Sequence, residues 1–207
     1  MKKVYFVRHG QSEGNVGLIR QTADAPLTPK GEEQARFIAK RFSNLKIDRA
    51  FVSTMKRAQQ TASVLLEGKN FFVESSDLYV ERRRPSEVLG KPKDLPESLQ
   101  INKEIWENFH KVGYRYSDEE NFEDLKERAL QILKRLEKCE QENILVVTHG
   151  LILRIVAAVM VHGRGLTGQQ CKDFIDTFHH ENTGITVLGY DEKKSVGGYG
   201  YGTIMYT

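Results

Sequence analysis

The sequence predicts an α/β fold, a three-layer sandwich with a mostly parallel central sheet between helices. Three observations carry this. Short apolar, β-branched runs recur along the chain, too short for helices. Longer amphipathic segments separate them. The run over residues 144–147 is apolar throughout, as expected for a strand covered on both faces.

The elements follow in order. Residues 4–7 form a buried strand. Residues 30–42 place Ala35, Phe37, Ile38 and Phe42 at helical spacing. A second strand over 50–52 precedes a second helix over 56–66, and a third strand covers 71–73. Residues 122–136 carry Leu125, Ala129, Ile132, Leu133 and Leu136 on one helical stripe. The strand at 144–147 leads into a mostly apolar helix over 151–161. Another strand covers 185–188, and the Gly/Tyr-rich tail 197–202 turns into an edge strand ending near Tyr206. No internal repeat or linker interrupts the pattern. One domain over 1–207 is expected, with a lid-like insertion around 82–120.

Charge narrows the function classes. The 207 residues hold 31 Lys and Arg against 28 Asp and Glu, a net +3. A nucleic-acid binder relying on bulk charge would be more basic. His149, Gly150 and Arg154 break the longest apolar stretch, so it spans no membrane. The N-terminal apolar run is too short for a signal peptide. Cys139 and Cys171 lack the spacing of a zinc knuckle or disulfide framework, which suits two thiols in a reducing cytoplasm. Two local runs stand out. Residues 82–93 hold five cations against Glu87, a basic loop. Residues 117–127 hold six acids against Lys126, a solvated loop and the acidic first turn of a helix.

Two segments share one grammar. Val4-Tyr5-Phe6-Val7 runs into Arg8-His9-Gly10, and Ile144-Leu145-Val146-Val147 into Thr148-His149-Gly150. Ligands in open α/β sheets sit beyond the carboxyl ends of the strands, so both histidines belong to one edge. The glycine after each permits a sharp turn or a close approach. The strand Ala50-Phe51-Val52 delivers Arg57 to the same edge, in the first turn of a helix. Two arginines and two histidines at one mouth suit a phosphoryl group. Guanidinium forks match its oxygens, and its transfer needs positive clamps.

With those residues in place, the chain resembles the histidine phosphatase superfamily, the phosphoglycerate mutase-like proteins. Val7-Arg8-His9-Gly10-Gln11-Ser12-Glu13-Gly14-Asn15 is similar to the family signature. Leu27-Thr28-Pro29-Lys30-Gly31, Ser53-Thr54-Met55-Lys56-Arg57-Ala58-Gln59-Gln60-Thr61-Ala62, Leu78-Tyr79-Val80-Glu81, Thr148-His149-Gly150 and Asn182-Thr183-Gly184-Ile185-Thr186-Val187 resemble its later elements in order. The resemblance implies a phosphoglycerate mutase-like fold. It implies that His9 attacks phosphorus while Arg8, Arg57 and His149 hold the phosphoryl oxygens. Glu81 would protonate the leaving oxygen and then deprotonate water. Partial burial would lift its pKa, countered by Arg8 and Arg57. Gly150 and Asn15 would contribute to binding, with Asn15 equally suited to a turn after Gly14. Arg82 would contact substrate from the rim.

Several alternatives stay open. Glu87 is a rival acid, although Glu81 directly follows the apolar 78–80 run. The family's glycine and second glutamate after the acid are replaced here by Arg82-Arg83-Arg84-Pro85-Ser86-Glu87. Arg82, Arg83 and Arg84 form either a capture rim or a solvated loop. Trp106, Phe109, Tyr114 and Tyr116 either cover an organic moiety or belong to a packed helix with Ile101 and Ile105. His179 and His180 either line the mouth or are plain loop residues. No metal or cofactor is expected, since there is no HExxH, Asp-rich loop, Walker A or GxGxxG pattern. The resemblance implies a phosphomonoesterase acting on a small-molecule phosphate ester. A phosphoglycerate mutase activity is the alternative. The short distance from Glu81 to His149, and Leu151 where the mutases have Asn, weigh against it. A weakly catalytic phosphate-binding module is a third reading.

Overall fold

The computed structural model describes residues 2–20, 24–190 and 201–206. Six strands form one sheet in the order β3-β2-β4-β1-β5-β6. These are β1 (Lys2–Arg8), β2 (Arg49–Ser53), β3 (Phe72–Ser76), β4 (Asn143–Thr148), β5 (Ile185–Tyr190) and β6 (Tyr201–Tyr206). The first four pair in parallel, and β5 and β6 join antiparallel. The fold is thus mixed α/β with a mostly parallel sheet, as the sequence predicts.

Among the described residues, seven α-helices accompany the strands: α1 (Glu13–Val16), α2 (Pro29–Ser43), α3 (Lys56–Leu65), α4 (Pro96–Asn108), α5 (Phe122–Lys138), α6 (Gly150–His162) and α7 (Gly168–Thr177). Alternation along β4 assigns the layers. Ile144 and Val146 pack with α5, α6 and α7, in a core holding Leu125, Leu133, Ile155 and Cys171. Leu145 and Val147 face the other way, into a core of Ile38, Phe42, Ala58 and Leu65 from α2 and α3. A period of two therefore buries both faces of one strand. At about 25 cal/mol per Å² of apolar surface, each such side chain contributes ~1.5–3 kcal/mol.

Three expectations change. The third strand runs from Phe72 to Ser76 rather than over 71–73. It lies at the sheet edge, with Phe72 62% exposed, so its second half, Glu74 to Ser76, is polar and no apolar run marks its end. Helices α1 and α7 have no counterpart in the sequence reading. The packed-helix alternative holds for α4, where Ile101 and Ile105 bury against Val88. Phe109 stacks on Trp106 and packs edge-on against Phe122. Strand β6 occupies the expected tail position, while the turn at 197–200 lies outside the described residues.

Candidate active site

Strands β1 and β4 are neighbours in register, Arg8 opposite Thr148. The next residues, His9 and His149, therefore emerge side by side, their ring centroids 5.0 Å apart. The His9 amide still donates to Thr148 O at 3.0 Å. Strand β2 lies on the other side of β4 and leads into α3, whose second residue is Arg57. Glycine is required at the β1 exit. A Cβ on Gly10 would stand 2.4 Å from Gly31 O, and one on Gly31 1.9 Å from Gln11 O. The β1 exit loop and the first turn of α2 are backbone against backbone.

His9 is buried. Its Nδ1 lies 2.7 Å from Gly10 O. A carbonyl only accepts, so Nδ1 carries the proton and Nε2 keeps its lone pair. Arg57 donates its Nε–H to that lone pair at 3.1 Å. Burial, then the positive charge of Arg57 and Arg8, pushes the His9 pKa down to about 3. The ring is neutral at any ordinary pH. His149 is fully buried and caps α6. Its Nε2 meets Ser53 Oγ at 2.7 Å. Burial again drives the ring to its neutral form. Both His149 Nδ1 and Arg8 Nε are buried without a protein partner, whereas Arg8 Nη1 donates to His180 O. Buried polar groups are rarely left unmatched. These two, with Arg57, surround His9 with groups suited to an anionic oxygen.

Glu81 follows a short 3₁₀ turn over Asp77–Tyr79 and meets the N-terminus of α6. Its carboxylate accepts from the amides of Leu151 (3.1 Å), Ile152 (3.2 Å) and Arg82 (3.0 Å). Burial raises its pKa, but His149, the Leu151 and Arg82 amides and Arg57 together lower it to about 2. His149 acts on it only when charged, so the amides and Arg57 carry the effect in the neutral-ring state. The sequence expectation of a lifted pKa is corrected, because the end of α6 was not visible as its partner. Glu87 accepts from Ser117 Oγ at 2.8 Å and does not line the cleft, while Glu81 does. Asn15 lines the cleft too, its Oδ1 taking the Ser12 amide at 2.9 Å and Asn182 Nδ2 at 3.3 Å. It serves the turn and borders the site at once.

Two connected cavities open over these residues, of about 350 and 610 Å³, sharing Arg8, Asn15, Glu81 and Arg84. The stretch after Glu81 forms neither helix nor strand, and its arginines alternate, Arg83 exposed between half-buried Arg82 and Arg84. Arg82 and Arg84 line the cleft. Arg83 turns away, its Nε donating to Asp118 O at 2.6 Å and its amide to Glu120 at 2.7 Å. The acidic run is therefore the anchor of the basic one, beyond the solvated face expected of it. Of the four aromatics, only Trp106 reaches the cleft. Tyr114 is tied to Glu104 at 3.0 Å. His179, His180 and Gly150 line it as well. Sequence reasoning counted Lys93 only within the basic run 82–93 and did not single out Arg20 or Arg154 as site residues, although Arg154 lies one helical turn past Gly150. Among the described residues, no group of three His, Cys, Asp or Glu side chains has metal-binding geometry, and no helix is long and apolar enough to cross a membrane.

Comparison with known proteins agrees with this geometry. Residues 4–197 match the family described as the histidine phosphatase superfamily (branch 1). The chain is 28% identical over 200 residues to a Hydrogenobacter thermophilus protein named "Putative phosphoserine phosphatase 2", covering 94% of this chain and 93% of that one. It is 26% identical to the adenosylcobalamin/alpha-ribazole phosphatase of Escherichia coli, covering 77% of this chain and 79% of that one. In structure it is similar to YhfR of Bacillus stearothermophilus, with a TM-score of 0.80, 24% identity and 100% and 95% coverage. That likeness shows the phosphoglycerate mutase-like fold.

Proposed function

The chain belongs to the histidine phosphatase superfamily, and on that footing we propose that it is a phosphomonoesterase of the acid phosphatase type, working through a covalent phosphohistidine. The observation that carries this is the state of His9. Its Nδ1–H is fixed by Gly10 O, and its neutral Nε2 faces Arg57 among buried donors.

The reaction follows from the geometry. The phosphate binds over His9, and Arg57 shifts from Nε2 to a phosphoryl oxygen. Arg8 adds its free Nε–H. Ser53 Oγ accepts the Met55 amide at 3.2 Å, and its own proton is assigned to His149 Nε2, which lies 2.7 Å away. That leaves Nδ1–H of His149 to donate to phosphate. His9 Nε2 then forms the N–P bond while the ester O–P bond breaks. The leaving oxygen takes a proton from Glu81. In the second half, Glu81 accepts a proton from water, the oxygen attacks phosphorus, and inorganic phosphate leaves as the N–P bond breaks.

Glu81 is ionised before substrate binds. The proton for the first step therefore enters with a monoanionic ester, whose second pKa is near 6. The phosphate also places negative charge beside the carboxyl and raises its affinity for that proton. We place the activity in the cytoplasm, on small-molecule esters, in one domain whose segment 82–120 walls the cleft. The test is trapping. Brief reaction with labelled p-nitrophenyl phosphate in chelator should give a base-stable, acid-labile phosphoprotein. His9→Ala should abolish both label and turnover. Turnover persisting in that variant would sink the mechanism. A bisphosphoglycerate primer that starts interconversion of phosphoglycerates would favour the mutase reading instead.

A further inference from the structure

The segment that carries Glu81 has little secondary structure of its own. Residues 81–85 form neither helix nor strand, so no ladder of backbone bonds fixes the carboxyl. One buried ion pair does this from outside. Arg128, on the second turn of α5, and Glu120, just before that helix, have side chains only 12% and 14% exposed. The guanidinium grips the carboxylate with two nitrogens, Nε to Oε1 at 2.9 Å and Nη2 to Oε2 at 2.8 Å. Its third nitrogen, Nη1, donates to the carbonyls of Val80 (2.6 Å) and Leu78 (3.3 Å). Glu120 takes the other side. Its Oε2 accepts the Arg83 amide at 2.7 Å, and its own amide donates to Arg83 O at 3.1 Å. Both flanks of Glu81 are thereby tied to one pair. Between the two carbonyls held by Arg128, Thr148 Oγ1 donates to Tyr79 O at 2.6 Å, from the residue before His149.

The pair stands on a rigid base. Asn121 and Asp124 close a capping box at the start of α5, at 3.0 and 3.1 Å. Leu125, Ala129, Ile132 and Leu133 of the same helix are at most 1% exposed. Neither Arg128 nor Glu120 lines the cleft, so neither can touch a bound ester. As a source of stability a buried ion pair is weak, because desolvation offsets the attraction. Its use lies in geometry. The planar guanidinium fixes several bond directions at once, which a lysine cannot do. A proton donor must lie within hydrogen-bond reach of the leaving oxygen, and a misplacement of about 1 Å can cost about 10²-fold in rate.

We propose that Arg128, locked by Glu120, is a positioning residue that sets the place of Glu81 as proton donor without touching substrate. This rests on the phosphatase reading above. The amides of α6 hold the carboxylate, and the ion pair holds the main chain on either side of it. Loosening the pair withdraws the acid from the leaving oxygen. Arg8 and His9 at the end of β1 and Arg57 on α3 keep their places, because other elements deliver them.

Two variants of the full chain test this. Arg128→Lys keeps the charge and loses the fork. Arg128→Gln with Glu120→Gln removes both charges together, so no lone buried charge is left to unfold the chain. With an alkyl phosphate, kcat should fall about 10–100-fold at a nearly unchanged KM. The enzyme-phosphorylating step with p-nitrophenyl phosphate, whose leaving group needs no proton, should change less than about threefold. In a Glu81→Gln background, Arg128→Lys should add less than about twofold, since the group it places is gone. A general loosening of the fold would slow both esters alike and add in full to Glu81→Gln, and either result overturns the proposal. The amides of Leu151 and Ile152, which donate to Glu81, give a readout without turnover. Their nuclear magnetic resonance signals should move in Arg128→Lys toward their positions in Glu81→Gln, while amides in the second half of α6 stay in place. Leu151 and Ile152 signals that do not move overturn the proposal. Moved signals in a protein that hydrolyses neither ester would support the placing of Glu81 by Arg128 and remove the phosphatase reading.

Discussion

Replacing Glu81 by Gln separates two duties of one carboxylate, capping α6 and carrying a proton. The glutamine oxygen keeps two of three amide donors. Its NH₂ then faces the third, the Leu151 N–H that Glu81 Oε2 accepts at 3.1 Å. Losing a hydrogen bond to a charged group costs about 1.5–3 kcal/mol. Removing the negative charge from a helix N-terminus costs ~0.3–1 kcal/mol more. Together these amount to about 3 kcal/mol. For a chain of this size that is a fall of about 6–12 °C in Tm. The sign is fixed by linkage. The folded pKa is depressed, so the contribution is complete above the unfolded value and is lost as pH falls toward about 2. Thermal melts of both proteins at pH 7 should differ by that amount, and the gap should narrow below pH 4.5. Burial of neutral His9 weakens both proteins in acid alike, so the difference isolates Glu81. The rate carries the second duty. An alkyl phosphate, whose leaving oxygen needs a proton, should lose about 10²–10⁴-fold, and p-nitrophenyl phosphate far less in its first step. Equal melts at pH 7 would refute the cap, and equal losses in the first, enzyme-phosphorylating step with both esters would refute the acid.

Other expectations are simpler. Gly31→Ala drives a Cβ into Gln11 O and should cost about 1–3 kcal/mol in denaturant unfolding, while Gly165→Ala meets no atom within 4 Å and should change it little. Ser53→Ala removes the partner of His149 Nε2 and should lower kcat about tenfold with an unchanged circular dichroism spectrum. An unaltered kcat would mean that the hydroxyl does not set the tautomer. The pH profile of kcat/KM for an alkyl ester should lie on the acid side. His9 is neutral above about 3, and the upper limb follows loss of the substrate proton near pH ~6. A rate still rising through pH ~8 would contradict proton delivery by a monoanionic ester.

The reaction centre was legible because its signals are local. Arg8-His9-Gly10 and Thr148-His149-Gly150 each follow a buried strand, and parallel pairing in register does the rest. Arg57 was legible for the same reason, one turn after β2. What escaped the sequence depends on distant contacts. Arg20 and Lys93 meet only through the bridge of Ile19 with Pro92. Arg82, Arg83 and Arg84 look alike in sequence, and the acidic anchor that holds Arg83 decides which face the cleft. The direction of the Glu81 shift was missed because two of its three amide partners belong to a helix seventy residues away. The far end of strand β3 was missed because an edge strand needs no apolar alternation.

The hydrogen bond from Arg57 to His9 has a further consequence. An uncovered neutral imidazole is open to any electrophile that diffuses in, including acylating and alkylating compounds. Here the lone pair is occupied until an anion draws the guanidinium aside. Chemical selectivity is thereby set before the reaction begins, since the group that unmasks the nitrogen is the group it attacks. Histidine-directed reagents should inactivate the resting protein slowly, and a bound oxyanion should change which ring they reach first.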